Sequence, residues 1–147
     1  MSRKKKIVLT LVALLVLIQL IPVDTENPVV TAEVDAPTEV LEVLRRACYD
    51  CHSNETAWPW YTHVAPVNFL VAHDVEEGRE HLNFSEWDRY DAEKRAHKIS
   101  EVWEEVEEGE MPLWFYTPLH SEAVLSEADL AVLEAWAEAE GEGQAAH

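Results

Sequence analysis

Cys48, Cys51 and His52 bring two thiols and an imidazole together in the five-residue run Cys48-Tyr49-Asp50-Cys51-His52. The C-x-x-C-H spacing is the attachment pattern of a c-type haem. Two thiols at this spacing can reach the two vinyl groups along one edge of the haem and form thioether bonds with them. The histidine that follows is then held under the iron as the proximal ligand. The pattern therefore predicts one covalent haem c.

Other kinds of site use the same residue types. Cys48 and Cys51 are the only cysteines in the chain, which excludes a four-cysteine zinc or iron–sulfur site. A thioredoxin-like redox pair belongs in a βαβ unit, and the sequence shows no clear strand pattern. A zinc site completed by His52 and His63 would need adjacent ligands in a tetrahedral geometry, which is strained. An ordinary disulfide would suit an exported protein. The histidine directly after the second cysteine favours haem over these alternatives.

A second iron ligand is expected from the loop at residues 109–112. Met111 is the only methionine besides Met1, and it stands in a Met-Pro step after a predicted helix. A loop there can bring the thioether to the iron face opposite His52. A lone methionine is often core filler, but haem proteins pair histidine with methionine as axial ligands. His120 is the main competing ligand, followed by His63.

Four helices are predicted to position these side chains. The first begins at Pro37, and its apolar face leads to Cys48. The second covers residues 66–78, the third residues 92–108, and the last runs from a Ser126 cap to Gly141. Their predicted buried positions include Val40, Leu41 and Leu44; Val67, Leu70, Val71 and Val75; Ala92, Ala96, Ile99, Trp103 and Val106; and Leu130, Leu133 and Ala137.

Two further segments carry apolar side chains outside the predicted helices. Leu82, Phe84 and Trp87 are expected to anchor the connector between the second and third helices. The aromatic run at residues 58–61 is expected either to form one wall of a haem pocket or to pack in the core.

The N-terminus has the pattern of a targeting or anchoring segment. The basic residues 3–6 precede an apolar run at residues 7–21 that only Thr10 and Gln19 interrupt. No A-x-A cleavage site follows, so an uncleaved membrane anchor is preferred over a cleaved signal peptide. In either case the basic residues stay inside, and the rest of the chain is placed in the periplasm or extracytoplasmic space. Residues 22–36 are expected to form an extended linker that lifts the domain off the membrane.

The charge distribution limits the possible partners. Most of the chain is acidic: from residue 24 onward there are 7 basic and 29 acidic residues, a formal charge of −22. Such a surface repels nucleic acid and favours redox proteins with basic docking patches. The glutamates at residues 104–108 crowd the C-terminal end of a predicted helix, where negative charge is unfavourable. They are interpreted as a solvated acidic edge in preference to a docking face.

Several stretches resemble a known group of proteins. They are CYDCHSNETAWPWY at 48–61, APV at 65–67, DVEEGREHLNFSEW at 74–87 and GEMPLWFYTPLH at 109–120. Together they are similar to the small monohaem cytochromes c and, more narrowly, to a bacterial family of haem-binding domain proteins. The likeness departs at Ser121, where HPEA-like members have proline. It implies Cys48 and Cys51 as thioether sites, His52 as proximal ligand and Met111 as sixth ligand.

The expected fold is an all-α, cytochrome c-like haem domain at residues 37–141. An N-terminal membrane anchor or signal helix at residues 1–21 precedes it, and a tail at 142–147 follows it. The expected function is one-electron transfer at the outer face of the cytoplasmic membrane, without enzyme activity, because two axial ligands leave no open position on the iron. A haem-based sensor or a peroxidase-like protein is the competing function, since either needs an open or labile position.

Overall fold

The computed structural model describes the backbone of residues 1–145 and the side chains of residues 1–141. This part of the chain forms α1 (Arg3–Ile18), α2 (Thr38–Ala47), α3 (Tyr49–His52), α4 (Val67–His81), α5 (Ala92–Glu107) and α6 (Glu127–Ala145). Three short 3-10 helices lie between them, at Trp60–His63, Trp87–Arg89 and Ser121–Ala123. The described residues contain no β-strand, only an isolated bridge between Ala32 and Glu86. The all-α prediction is confirmed.

Local signals in the sequence explain where several helices begin. Pro37 directly precedes α2. The Asp91 side chain accepts a hydrogen bond from the Lys94 amide at the start of α5. At the start of α6, the Ser126 amide donates to the Asp129 carboxylate at 2.8 Å, and the Asp129 amide donates to the Ser126 hydroxyl at 3.3 Å. This reciprocal pair confirms the predicted cap, because each side chain satisfies a backbone donor that the first turn leaves without a partner.

Two helices extend beyond the glycines that were predicted to end them. α4 continues past Gly78 to His81, and α6 continues past Gly141 to Ala145. A glycine inside a helix costs only about 1 kcal/mol relative to alanine, so tertiary packing can outweigh it. The predicted tail at residues 142–147 is therefore helical as far as Ala145, and its last two residues lie outside the described part of the chain.

The core confirms most of the predicted buried faces. Val40, Leu44, Ile99, Val106 and Leu133 are all buried in one cluster. The same cluster holds the connector residues, all three buried as predicted: Leu82, Phe84 and Trp87. The helices α5 and α6 pack against each other, and α2 packs on α6.

The predicted apolar face of α4 is only partly correct. Val75 is buried, but Val67 and Leu70 are exposed to solvent. Ala92, predicted to be buried on α5, is also exposed. Periodicity identifies an apolar stripe, but it does not show whether another element packs against it.

The N-terminal helix α1 is apolar and mostly exposed. α1 has 16 residues, and its apolar side chains are exposed except for the partly buried Ile18. Of the helices in residues 1–145, none combines the length and apolar character that a membrane crossing requires.

Residues 22–36 are extended as expected, but they pack on the domain and do not form a free spacer. The Trp87 amide donates to the Ala32 carbonyl at 2.9 Å, and Val34 is buried in the core.

Candidate cofactor-binding site

The two cysteines are placed by the junction between α2 and α3. The Cys48 amide donates to the Leu44 carbonyl at 2.8 Å, which continues the last turn of α2. The His52 amide then donates to the Cys48 carbonyl at 2.9 Å, which closes the single turn of α3. This turn places Cys48, Cys51 and His52 on the lining of one cavity.

The imidazole of His52 is fixed by two backbone carbonyls of α4 and its C-terminal end. Nδ1 lies 2.9 Å from the Gly78 oxygen and 3.2 Å from the Leu82 oxygen. A carbonyl oxygen can only accept, so Nδ1 carries the proton and Nε2 keeps a free lone pair. Burial lowers the pKa of His52, which favours the neutral ring. A neutral imidazole with Nδ1 bound to a carbonyl is the arrangement in which histidine ligates a metal through Nε2.

Gly78 allows α4 to approach the cysteine turn closely. A Cβ atom at this position would lie 2.6 Å from the Cys51 carbonyl oxygen, well inside van der Waals contact. Only a residue without a side chain fits there. The glycine that was expected to end the helix instead brings a helical carbonyl within reach of His52.

Both thiols are free and protonated. Burial, followed by the neighbouring Cys51, raises the pKa of Cys48 to about 12. Burial and the charges of Asp50 and Asp74 raise the pKa of Cys51 to about 12. The two cysteines are not joined by a disulfide in this structure. Among the described residues, no group of three or more His, Cys, Asp or Glu side chains is arranged to hold a metal ion, and His63 is exposed.

The cavity has a volume of about 500 Å³, within the range of small-molecule and cofactor sites. Its lining combines the cysteine turn with Gly78 and Leu82 from the α4 side, Val102 and Val106 from α5, and the loop after α5. Phe84 forms part of the lining and stacks on Tyr49, with ring centroids 5.5 Å apart. The exposed surface of the walls is therefore largely apolar.

Met111 lies on the lining of this cavity. Its amide donates to the Glu105 carbonyl at 3.0 Å, which ties the loop to the end of α5. Five residues later, the Tyr116 hydroxyl donates to the Asp50 carboxylate at 2.7 Å. The loop is thus attached at one end to α5 and at the other to the turn between the two cysteines.

His120 is engaged elsewhere. Its Nε2 is hydrogen-bonded to the Tyr61 hydroxyl, and its Nδ1 lies 3.2 Å from the Glu122 carboxylate. The ring stacks on Tyr116 with centroids 4.0 Å apart. Both ring nitrogens have partners, and the residue is not part of the cavity lining.

A comparison with protein families decides the cofactor class. The family model for the haem-binding domain matches residues 13–139. The chain belongs to the haem-binding domain family. No curated protein and no solved structure matches the chain significantly.

The residues of this haem-binding domain fit the cofactor. The cavity is large and apolar, and its lining offers a free imidazole nitrogen, a thioether and two thiols. These are the groups that hold iron and the haem edge in c-type sites. Neither expectation for the aromatic run at residues 58–61 is met: Trp58, Trp60 and Tyr61 do not line the cavity, and none of them is buried in the core.

Sequence reasoning missed the polar network behind the site. The Asn83 side chain donates to the Asn54 side chain at 2.8 Å, and the Asn54 amide donates to the Ser85 hydroxyl at 3.0 Å. All three residues are buried. The network joins the chain after His52 to the connector after α4, next to the Phe84 amide that donates to the His52 carbonyl at 2.8 Å. Polar residues beside the buried Phe84 were the available signal.

The rim of the cavity is acidic. Its carboxylates come from α4 and α5: Asp74, Glu77, Glu101, Glu104 and Glu105. Among the described residues that line the cavity, Lys98 is the only lysine or arginine, and it is paired with Glu101. The entrance to the haem site therefore carries a strongly negative potential.

Proposed function

We propose that this haem-binding domain holds one covalent haem c and transfers single electrons outside the cytoplasmic membrane. The observation that carries the proposal is the convergence of Cys48, Cys51, His52 and Met111 on one cavity. The two cysteines would form the thioether bonds, and His52 Nε2 and the Met111 sulfur would ligate the iron. The bound haem supplies one-electron redox chemistry.

The protein's own residues orient and enclose the site. The carbonyls of Gly78 and Leu82 hold the His52 ring and its protonated Nδ1. The bond between Tyr116 and Asp50 holds the loop that carries Met111. Apolar walls from α5 limit the access of water.

Ligation by Met111 would leave no open coordination position on the iron, which would suit a carrier better than a sensor or a peroxidase-like enzyme. Both ring nitrogens of His120 already have partners, Tyr61 and Glu122, which favours Met111 as the sixth ligand. Rapid, stoichiometric carbon monoxide binding to the reduced wild-type protein would contradict the carrier function and support the sensor or enzyme alternative.

The acidic rim supports a redox partner with a basic docking patch. Carboxylates from α4 and α5 surround the cavity entrance, so a basic protein would be steered toward the haem edge. The glutamates at the end of α5, expected to be only a solvated edge, include Glu104 and Glu105 of this rim. Nucleic acid is not proposed as a partner, since its phosphates would be repelled.

The membrane location rests on the N-terminal sequence. The basic residues 3–6 and the apolar run at 7–21 support an anchor whose basic end stays inside, and Lys4, Lys5 and Lys6 can extend their side chains to the lipid headgroups. A cleaved signal peptide, with release into the periplasm, is the alternative. Export agrees with covalent haem attachment, which takes place in bacteria outside the cytoplasmic membrane.

The deciding experiment is expression of the full chain with haem-maturation machinery. Haem that stays with the denatured polypeptide in acid acetone, with an alkaline pyridine spectrum typical of two thioether bonds, would support the proposal. Haem that is fully extracted by acid acetone would contradict covalent attachment.

A further inference from the structure

After residue 23, two segments of more than ten residues contain no acidic residue. They are residues 56–73 and residues 111–121. The first includes the 3-10 helix Trp60–His63 and the N-terminal half of α4, and the second includes the loop after Met111. The acidic residues resume at Asp74 and at Glu122, so both segments have sharp boundaries.

The same two segments expose large apolar side chains. Trp60 is 78% exposed, Leu70 51% and Trp114 82%. We call the set of such residues the acid-free face: Trp60, Val64, Val67, Leu70, Trp114, Phe115 and Leu119. Exposed apolar surface of this kind on a soluble domain marks a contact site.

The two segments meet in space. The Tyr61 hydroxyl is hydrogen-bonded to His120, and Tyr116 stacks on the same histidine. Trp60 packs edge-on against Tyr61 with centroids 5.9 Å apart. The Tyr61–His120 bond therefore joins the two segments on one side of the domain.

The end of α1 is attached to this side. The Gln19 side-chain amide donates to the Ala65 carbonyl at 3.1 Å, and its oxygen accepts from the Ala65 amide at 3.0 Å. Ala65 lies between Val64 and Val67, two residues of the acid-free face. A two-bond pair of this kind fixes position and direction, so the end of α1 and the acid-free face lie together.

We propose that the acid-free face rests on the lipid bilayer that holds α1, with Trp60 and Trp114 at the headgroup level. The inference rests on the proposed membrane placement of α1. Tryptophan favours that level because its ring is apolar and its N–H is polar. A domain with a formal charge of −22 after residue 23 is repelled by anionic lipids, and the repulsion is least where carboxylates are absent.

The contact with the bilayer would also set the orientation of the haem site relative to the membrane. Met111 and Tyr116 lie in the same segment as Trp114, while the acidic rim comes from the C-terminal half of α4 and from α5. The acid-free face would take the membrane and leave the acidic rim for a basic partner. The full chain would then have one fixed orientation, with no need for a long linker.

The test is photolabelling of the full-length haem-loaded protein in lipid nanodiscs. The discs contain phosphatidylcholine with a diazirine group near the top of one acyl chain, and labelled peptides are mapped by mass spectrometry. The expected labels fall in α1, in residues 60–70 and in residues 114–119. Labels in α1 alone would overturn the inference and leave the anchor in place. Labels in neither α1 nor the domain would overturn both, while the haem spectrum of the same sample reports on the proposed redox role independently.

Variants sharpen the test. V67E combined with L70E should abolish labelling of residues 60–70 and leave α1 labelling and the haem spectrum unchanged, because both side chains are exposed. V124E, at an exposed apolar position beyond residue 121, is the matched control and should change nothing. Gln19→Ala should reduce labelling of the domain but not of α1. Two copies per disc with no lipid label on the acid-free face would overturn the proposal in favour of self-association.

Discussion

Nδ1 of His52 lies 2.9 Å from the carbonyl oxygen of Gly78, a residue 26 positions later in the chain. The same glycine packs against the Cys51 backbone, where a Cβ atom would come within 2.6 Å of the carbonyl oxygen. One residue of α4 thus provides both the space for the cysteine turn and the acceptor that orients the imidazole.

Gly78→Ala is expected to destabilise the protein and disturb the iron site. The added methyl group must push α4 away from Cys51, and overpacking of this kind typically costs about 1–3 kcal/mol. The move would also lengthen the bond to His52, so the absorption spectrum should shift. Chemical denaturation and visible spectra measure both effects.

Gly141→Ala is the matched control, because nothing lies within 4 Å of the Cβ position there. It lies in α6, where alanine should increase stability by up to about 1 kcal/mol. A Gly78→Ala protein as stable as wild type, with an unchanged spectrum, would show that the close approach to Cys51 is unimportant.

Replacing Cys48 and Cys51 together with alanine should abolish covalent haem and leave the domain mostly unfolded. The cavity of about 500 Å³ lies between short helices, so the cofactor would serve as part of the core. Its binding energy then becomes folding energy, as it does for metal sites. Haem staining of denatured protein and far-ultraviolet circular dichroism are the measurements. Native helix content in the haem-free double variant would refute this coupling.

Met111→Ala should open the sixth coordination position, so that the reduced protein gains carbon monoxide binding. Met111→His should keep the iron six-coordinate and lower the reduction potential, because a neutral thioether favours ferrous iron. Covalent attachment should survive both changes. The wild-type ferric protein should show the weak far-red band of methionine-to-iron charge transfer.

His120→Ala is the comparison variant for the axial ligand. It breaks the contacts with Tyr61 and Glu122 but should leave the iron spectrum nearly unchanged. If carbon monoxide binding appears in His120→Ala and not in Met111→Ala, the assignment of the ligand must be reversed.

Electron exchange should be faster with basic redox partners and should slow as salt is added. The reason is the acidic rim at the cavity entrance, whose interactions are screened over ~10 Å at 0.1 M salt. Stopped-flow kinetics with a basic and an acidic partner protein of similar potential provide the measurement. Neutralising Glu104 and Glu105 to glutamine should reduce the salt dependence. Equal, salt-insensitive rates for both partners would rule out electrostatic docking.

Asp129 should make stability depend on pH in the acid range. Hydrogen bonds from Arg46 and then Ser126 lower the pKa of Asp129 from 3.8 to about 2 in the folded state. The folded pKa lies below the unfolded one, so the stabilisation is fully present above about pH 4 and is lost as pH falls toward 2. Asp129→Asn should remove this component, as judged by thermal unfolding of both proteins across that range. Glu127→Gln, at an exposed position in the same turn, is the comparison variant and should keep the component of the pH profile that Asp129 contributes.

Short-range patterns carried much of the information that the sequence alone provided. The C-x-x-C-H run at residues 48–52 needs only one turn of backbone to place its side chains together, so its spacing suffices to predict the site. The Ser126 and Asp129 cap is equally local. The all-α class and the buried connector residues Phe84 and Trp87 followed from periodicity and composition.

Only the tertiary structure decided the relationships between distant segments. In the sequence, Gly78 is typical of a residue that ends a helix. Its role in giving space to the Cys51 backbone becomes visible only where α4 packs against Cys51. Met111 and His120 were competing ligands in the sequence. The structure places Met111 on the cavity lining and engages His120 through one long-range hydrogen bond to Tyr61, and the ligand assignment stays a prediction. Val67 and Leu70 have the spacing of a buried face, yet nothing among the described residues covers them. Helices, helix caps and short motifs are encoded by local sequence patterns. Which segments pack against each other depends on contacts between residues far apart in the chain.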